Sequence, residues 1–231
     1  MSMLEPRQPR PKSRRLLLLL VLCLVAGFFL KGGLHHKDSP GAADDEFHSG
    51  LLAFNKTASQ PDVEHGIVLI AAAAKAGSPD AQRALSAAAA TCAAAAGKIN
   101  DQRTADKCRL AATGGDKTAQ VATARFYATG NYVAMDKTEA EKYLRRAAEQ
   151  GEASAQTSLA LMYANADGIP ADHAESAAWL TVVMRSARTP EDKKALAAIS
   201  YLLDKEEAGM TQEQLGDIWT RAAQYEAKYS H

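Results

Sequence analysis

Aromatic side chains make up only 6% of the 231 residues, and there are three cysteines, eight prolines and two tryptophans. So few aromatics leave little material for strands. Three cysteines are too few for a disulfide-dense small scaffold, and 15 glycines fall far short of a collagen-like composition. An excess of one charge is also missing. The 27 Lys and Arg balance 27 Asp and Glu, which excludes an acidic-tail protein and argues against a nucleic-acid partner. Catalytic constellations are absent as well. His48, His65, His173 and His231 are scattered, no Ser or Cys nucleophile sits in a motif, and no Gly-rich phosphate loop or zinc spacing occurs. His35 and His36 adjoin, but no third ligand lies at a useful spacing, so they read as solvated. The expectation is a protein that is not an enzyme, without metal or cofactor.

What the chain does have is alanine, about a fifth of its residues. Alanine has the lowest cost in a helix, so an all-α fold is expected. Residues 1–15 carry Arg7, Arg10, Lys12, Arg14 and Arg15 against Glu5 alone, and Pro6, Pro9 and Pro11 keep this basic tail out of regular structure. Leu16 through Leu30 contain no charged side chain. Fifteen helical residues rise roughly 22 Å, short of a hydrocarbon core of about 30 Å, but extension through Leu34 reaches spanning length. Residues 16–34 therefore read as a transmembrane anchor with a cytoplasmic N-terminus, or as a cleaved signal. Ala26-Gly27-Phe28 is a poor cleavage site. Residues 31–48 are rich in Gly, Pro, His and acidic groups without apolar periodicity, and 35–49 read as a flexible linker.

Beyond the linker the chain repeats. Gly115-Asp116-Lys117-Thr118-Ala119-Gln120 recurs 36 residues on as Gly151-Glu152-Ala153-Ser154-Ala155-Gln156, and the register continues through Tyr127 and Tyr163, Asp136 and Asp172, Tyr143 and Trp179, and Leu144 and Leu180. A fainter copy starts at Gly77, 38 residues before Gly115, and a partial one precedes it. Each unit reads as two antiparallel helices; in the clearest, helix A covers about 154–165 and helix B about 172–185. Such a pair cannot bury its apolar face alone, so neighbours must stack. The expected fold is a short right-handed α-solenoid after one N-terminal membrane helix. Its units are 50–76 (partial), 77–114 (degenerate), 115–150 and 151–186, closed by helices over 190–203 and 211–229 within a cap at 187–231. Tyr127, Tyr143, Leu144, Tyr163, Trp179 and Leu180 are expected between helices as repeat core. Asp136 and Asp172, each at a turn, are expected to cap helix B.

These residues resemble the Sel1-like repeat (SLR) family, relatives of the tetratricopeptide repeats. Tyr127, Val133, Asp136, Ala140, Tyr143, Ala147, Ala148 and Gly151 fit the family pattern, strongly over 115–186 and weakly over 50–114. The copy at Gly77 departs most, with Ala89 in place of the helix A tyrosine. The resemblance implies protein binding: a non-catalytic scaffold or adaptor, or alternatively an immunity protein that blocks a toxin or an envelope enzyme.

Cys92 and Cys108 are the cysteines outside the apolar segment, and they are symmetric about the turn of the Gly77 unit. Residues symmetric about an antiparallel turn face each other, as a disulfide requires. A Cys92 to Cys108 bridge is expected, two buried thiols being the alternative. A bridge suits an oxidising compartment, and with the anchor this places the repeats in a bacterial periplasm at the inner membrane, or as a soluble periplasmic or secreted protein if the signal is cleaved. The charge balance then resolves into parts. The tail holds five basic residues and one acid, net +4; Lys31 and Lys37 add +2; residues 38–231 hold 20 basic and 26 acidic, net −6. A mildly acidic repeat domain disfavours nucleic acid, so the expected partner is another protein.

Overall fold

The computed structural model describes residues 40–55, 60–95, 98–186 and 200–229. They form nine named helices, with no strand among the described residues: α1 Pro40–Asn55, α2 Gln60–Lys75, α3 Pro79–Ala95, α4 Gln102–Thr113, α5 Lys117–Thr129, α6 Lys137–Glu149, α7 Ala153–Asn165, α8 His173–Ser186 and α9 Gln212–Tyr229. Residues 200–207 are also helical. Successive helices pair as hairpins α1–α2, α3–α4, α5–α6 and α7–α8, and α9 closes the stack against α8. No described helix is long and apolar enough to cross a membrane, and residues 16–34 lie outside the described residues.

Two boundaries differ from expectation. Residues 40–49, read as linker, are the first ten residues of α1. The partial unit is consequently a whole hairpin. Pro40 suits the first helical turn, where no N–H is needed, and Phe47 and Phe54 pack on the core. The hairpin closes tightly because its crossing residues are glycines. A Cβ on Gly66 would lie 2.6 Å from the Phe54 nitrogen, and one on Gly50 would lie 2.9 Å from the Leu69 Cβ. Ser78 Oγ donates to Asp44 Oδ1 (2.8 Å), tying α1 to the cap of α3. The helix expected over 190–203 falls largely outside the described residues.

The repeated Gly-x-x-x-Ala-Gln motif is a joint between one hairpin and the next. Gly77, Gly115 and Gly151 have φ of 99°, 102° and 75°, the left-handed conformation that ends a helix and that glycine adopts without strain. The residue after each glycine donates its N–H back five residues: Ser78 to Ala73 O, Asp116 to Ala111 O and Glu152 to Ala147 O (3.0, 3.1 and 3.0 Å). The glutamine then finishes the joint. Gln82, Gln120 and Gln156 each donate Nε2 to a carbonyl eight residues earlier, Ala74 O, Ala112 O and Ala148 O, at 3.2, 3.3 and 3.1 Å. Gln156→Ala should cost about 1–2 kcal/mol, because it removes a buried hydrogen bond. Urea denaturation monitored by circular dichroism measures it, and Gln120→Ala should give a similar loss at the equivalent joint.

Between the joints the interior is filled by small residues. Ala119, Ala124, Ala140, Ala147, Ala148, Ala155 and Ala160 are all within 1% of complete burial. This close helix contact is what the alanine excess provides. One core runs through α2 to α5 around Ile67, Ile70, Leu110 and Phe126. A second runs from α5 to α9 around Leu144, Leu159, Trp179 and Leu180. At the closing end α9 buries Ile218 and Ala222, and its entry is a capping box in which Thr211 N–H donates to Gln214 Oε1 and Gln214 N–H to Thr211 Oγ1.

Candidate interaction surface

Asp136 and Asp172 fix where helix B of each hairpin begins. Asp136 Oδ1 accepts from the N–H groups of Thr138 and Glu139 (2.9 and 3.0 Å), and Asp172 Oδ1 from that of Glu175 (2.9 Å). Their own N–H groups donate to Tyr127 O and Tyr163 O, closing each hairpin turn on the end of its helix A. Both aspartates are thus caps, as the repetition predicts.

The expected repeat-core residues divide into two groups. Leu144, Trp179 and Leu180 are buried, Trp179 completely. Tyr127, Tyr143 and Tyr163 are half-buried, with rings packed against the second core. Tyr127 stacks on Tyr143 with centroids 5.8 Å apart, and Trp179 stacks on Tyr225 of α9 at 4.5 Å. The hydroxyls serve a polar seam across the repeats. Arg145 on α6 bonds the Tyr163 hydroxyl on α7, and that hydroxyl donates to Glu141 Oε1 at 2.8 Å. Thirty-six residues earlier, Arg109 on α4 stands to Tyr127 on α5 as Arg145 does to Tyr163. Burial alone would pull the Arg109 pKa down, but the Glu64 charge, Tyr127 and Asp106 reverse this and raise it. Arg145 is likewise raised, against the desolvation that opposes it, by the hydrogen bond to Glu141 and by the neighbouring tyrosine and carboxylates. Burial and the hydrogen bond to Glu141 push the Tyr163 hydroxyl up to about 12.

Glu175 is the hub of the seam's closing end. Its side chain is 9% exposed. It accepts from Trp179 Nε1 (3.1 Å) and the Tyr225 hydroxyl (2.9 and 2.8 Å), with Arg145 Nη1 at 3.3 Å and Arg221 Nη1 at 3.4 Å. Burial and the Glu175 carboxylate together raise the Tyr225 pKa. Neither the seam nor its hub is anticipated by the repeat reading. The 36-residue offset between Arg109 and Arg145 is the signal that could have revealed the seam.

Cys92 and Cys108 are joined by a disulfide, with Cα atoms 5.0 Å apart. Beside it runs a groove of about 200 Å³ between helices α3, α5 and α7, lined by Ile99, Thr118, Val121, Ala122, Arg125 and Ser154 among others. This is the row of A helices. Arg125 is exposed there, among apolar side chains, two hydroxyls and the Glu152 carboxylate. Of the histidines, His48 and His65 lie exposed on α1 and α2, and His173 Nδ1 is 2.5 Å from Glu206 Oε2. Among the described residues no three His, Cys, Asp or Glu side chains are placed to hold a metal ion. His35, His36 and His231 lie outside the described residues. The arrangement suits binding of a surface: a row of helices held in register by joints, seam and disulfide.

The Sel1 repeat family model matches residues 118–152 and 153–181. These are the hairpins α5–α6 and, nearly to its end, α7–α8. No curated protein matches the sequence. Among solved structures, a protective antigen present in uropathogenic Escherichia coli strains, displaying an SLR fold, is 23% identical with a TM-score of 0.53. The similarity covers 82% of this chain, which spans only 38% of the antigen's length, and it shows a common fold. A Sel1 repeat protein from Oxalobacter formigenes is 26% identical over 81% of this chain and 74% of its own, with a TM-score of 0.42. Residues 118–181 of this chain are two Sel1 repeats.

Proposed function

We propose that this protein is a non-catalytic interaction scaffold, tethered to a bacterial inner membrane through residues 16–34 with its repeats in the periplasm. Sel1 repeat proteins generally act as protein–protein interaction scaffolds and are typically non-catalytic. The groove on the A helices carries the reading for this chain, because it offers an exposed cation, a carboxylate, apolar side chains and hydroxyls along a row of helices. Tethering is supported by the uncharged run from Leu16 to Leu30 behind five basic residues. A disulfide in the repeats accords with an oxidising compartment.

The test uses the full chain in native membranes with a photo-crosslinking amino acid at Arg125 in the groove or at Lys142, exposed on α6. A scaffold of this kind gives a protein adduct of discrete mass from position 125 and none from position 142. Adducts of equal yield from both positions, or from neither, overturn the groove as the binding face. Carbonate extraction checks the tether separately: release of the chain into the soluble fraction refutes it.

A further inference from the structure

A cleft of about 510 Å³ opens where the end of α7 and the turn into α8 meet the end of the helix over residues 200–207 and the start of α9. It shares no lining residue with the groove beside the disulfide. Ala164, Ala171, Ala174, Ala208 and Met210 give it apolar walls, and Gly209, with φ of 90°, turns the chain at its edge. Glu206 also lines it, with a side chain only 4% exposed. Among the described residues this carboxylate has a single hydrogen-bonding partner, His173, whose Nδ1 lies 2.5 Å from Oε2. Oε1 has none, yet it is not sealed from solvent, so it opens on the cleft. A buried carboxylate normally takes several donors, because its two oxygens offer about four acceptor sites and little water reaches them. The His173 side chain is itself 58% exposed, so the one donor present stands on the rim rather than in the wall.

We propose that this cleft is a binding site for a primary ammonium group on an aliphatic stem, such as a lysine side chain of a protein partner, with Glu206 Oε1 as its acceptor. Three features select that chemistry. The free acceptor is one oxygen rather than two, which suits a point donor better than the planar fork of a guanidinium, whose bonds to a carboxylate form in pairs. The alanine and methionine walls suit methylenes, which a lysine stem buries behind its charge. The last turn of the helix over 200–207 forms one wall, and the C-terminal end of a helix carries partial negative charge. The opposing charges are weaker. Lys205 lines the rim but is exposed, so water and salt screen its ammonium. The positive end of α8 is already capped by Asp172, whose Oδ1 accepts from the Glu175 N–H.

The experiment uses the full chain in detergent micelles with isotope-labelled methionine methyl groups, since Met210 lies in the cleft wall. Met210→Leu assigns its resonance, and the probe is Nα-acetyl-lysine amide. Titration should shift the Met210 signal saturably, whereas the Nε-acetylated analogue, with the same stem and no charge, should bind at least about tenfold more weakly. Glu206→Gln should weaken the lysine probe about tenfold, and His173→Ala should tighten it roughly threefold by removing the competing donor. Met162, buried in the second core, reports whether each variant keeps its fold. If Glu206→Gln moves the Met162 signal, His173→Ala and the uncharged analogue decide. The proposal is overturned if the analogue binds as well as the lysine probe, if Glu206→Gln with an unmoved Met162 signal leaves the affinity unchanged, or if His173→Ala fails to tighten binding. None of these results touches the groove at Arg125, which the crosslinking yield from that position tests on its own.

Discussion

Replacing Glu175 with alanine should destabilise the repeats by about 3–5 kcal/mol, the cost of breaking a buried charge pair and leaving its partners behind. The side chain is nearly enclosed, and its loss strands two hydrogen-bond donors, Trp179 Nε1 and the Tyr225 hydroxyl. It also removes the negative charge nearest Arg221 and one of two beside Arg145. Each stranded donor costs about 1–3 kcal/mol where water cannot reach it. At about 2–4 °C per kcal/mol for a chain of this size, the melting temperature falls on the order of 10 °C. Glu175→Gln should cost roughly half as much, because one acceptor oxygen survives without the charge. In a Trp219→Phe background, Trp179 is the sole tryptophan, so its fluorescence reports whether α9 still covers it. A loss below about 1 kcal/mol for Glu175→Ala would show that water replaces these contacts and that they take no part in docking α9.

The same hub marks the limit of what can be read along the chain. Glycine, glutamine and aspartate recur at a fixed offset because each acts within its own joint or turn, among residues at most nine positions away. Their roles are local, so periodicity exposes them. Glu175 repeats Glu139 at that offset, but Glu139 pairs with Lys142 on its own helix, whereas the partners of Glu175 come from α6, α8 and α9 and only tertiary structure brings them together. Arg109 and Arg145 do share the offset, but a charged helical residue reads as solvated until the tyrosine of the next unit is seen beside it. The missed start of α1 has a similar cause. Asp44, Asp45 and Glu46 look like linker, and nothing in the chain order reveals that Gly50 and Gly66 let α1 lie close enough on α2 to bury Ala43. The disulfide was legible because its two residues are symmetric about one turn.

Removing that disulfide, by Cys92→Ser with Cys108→Ser or by reduction, should cost about 3 kcal/mol, the loop-closure entropy of a crosslink spanning about 15 residues; the actual sequence separation is 16. The loss should be local. The stack is held by nearest-neighbour contacts, so its weakest hairpin opens first. α3–α4 is that hairpin. From Ala87 to Ala95 the only departures from alanine are Thr91 and Cys92, and Ala89 stands where α5 and α7 supply Tyr127 and Tyr163. Its turn is held partly from outside, by Tyr132, whose hydroxyl donates to Ile99 O at 3.0 Å and whose carbonyl accepts from Gln102 Nε2 at 3.1 Å. Without the bridge these bonds still hold the turn from outside, but each contributes only about 1 kcal/mol. Hydrogen exchange of the reduced chain should therefore show lost protection across residues 79–113 while 137–183 keep theirs. The groove runs between α3, α5 and α7 and has Cys92 in its wall, so partner crosslinking from position 125 should fall in parallel. Uniform loss of protection over all the helices would mean that the repeats unfold as one cooperative unit and that the disulfide stabilises the whole stack.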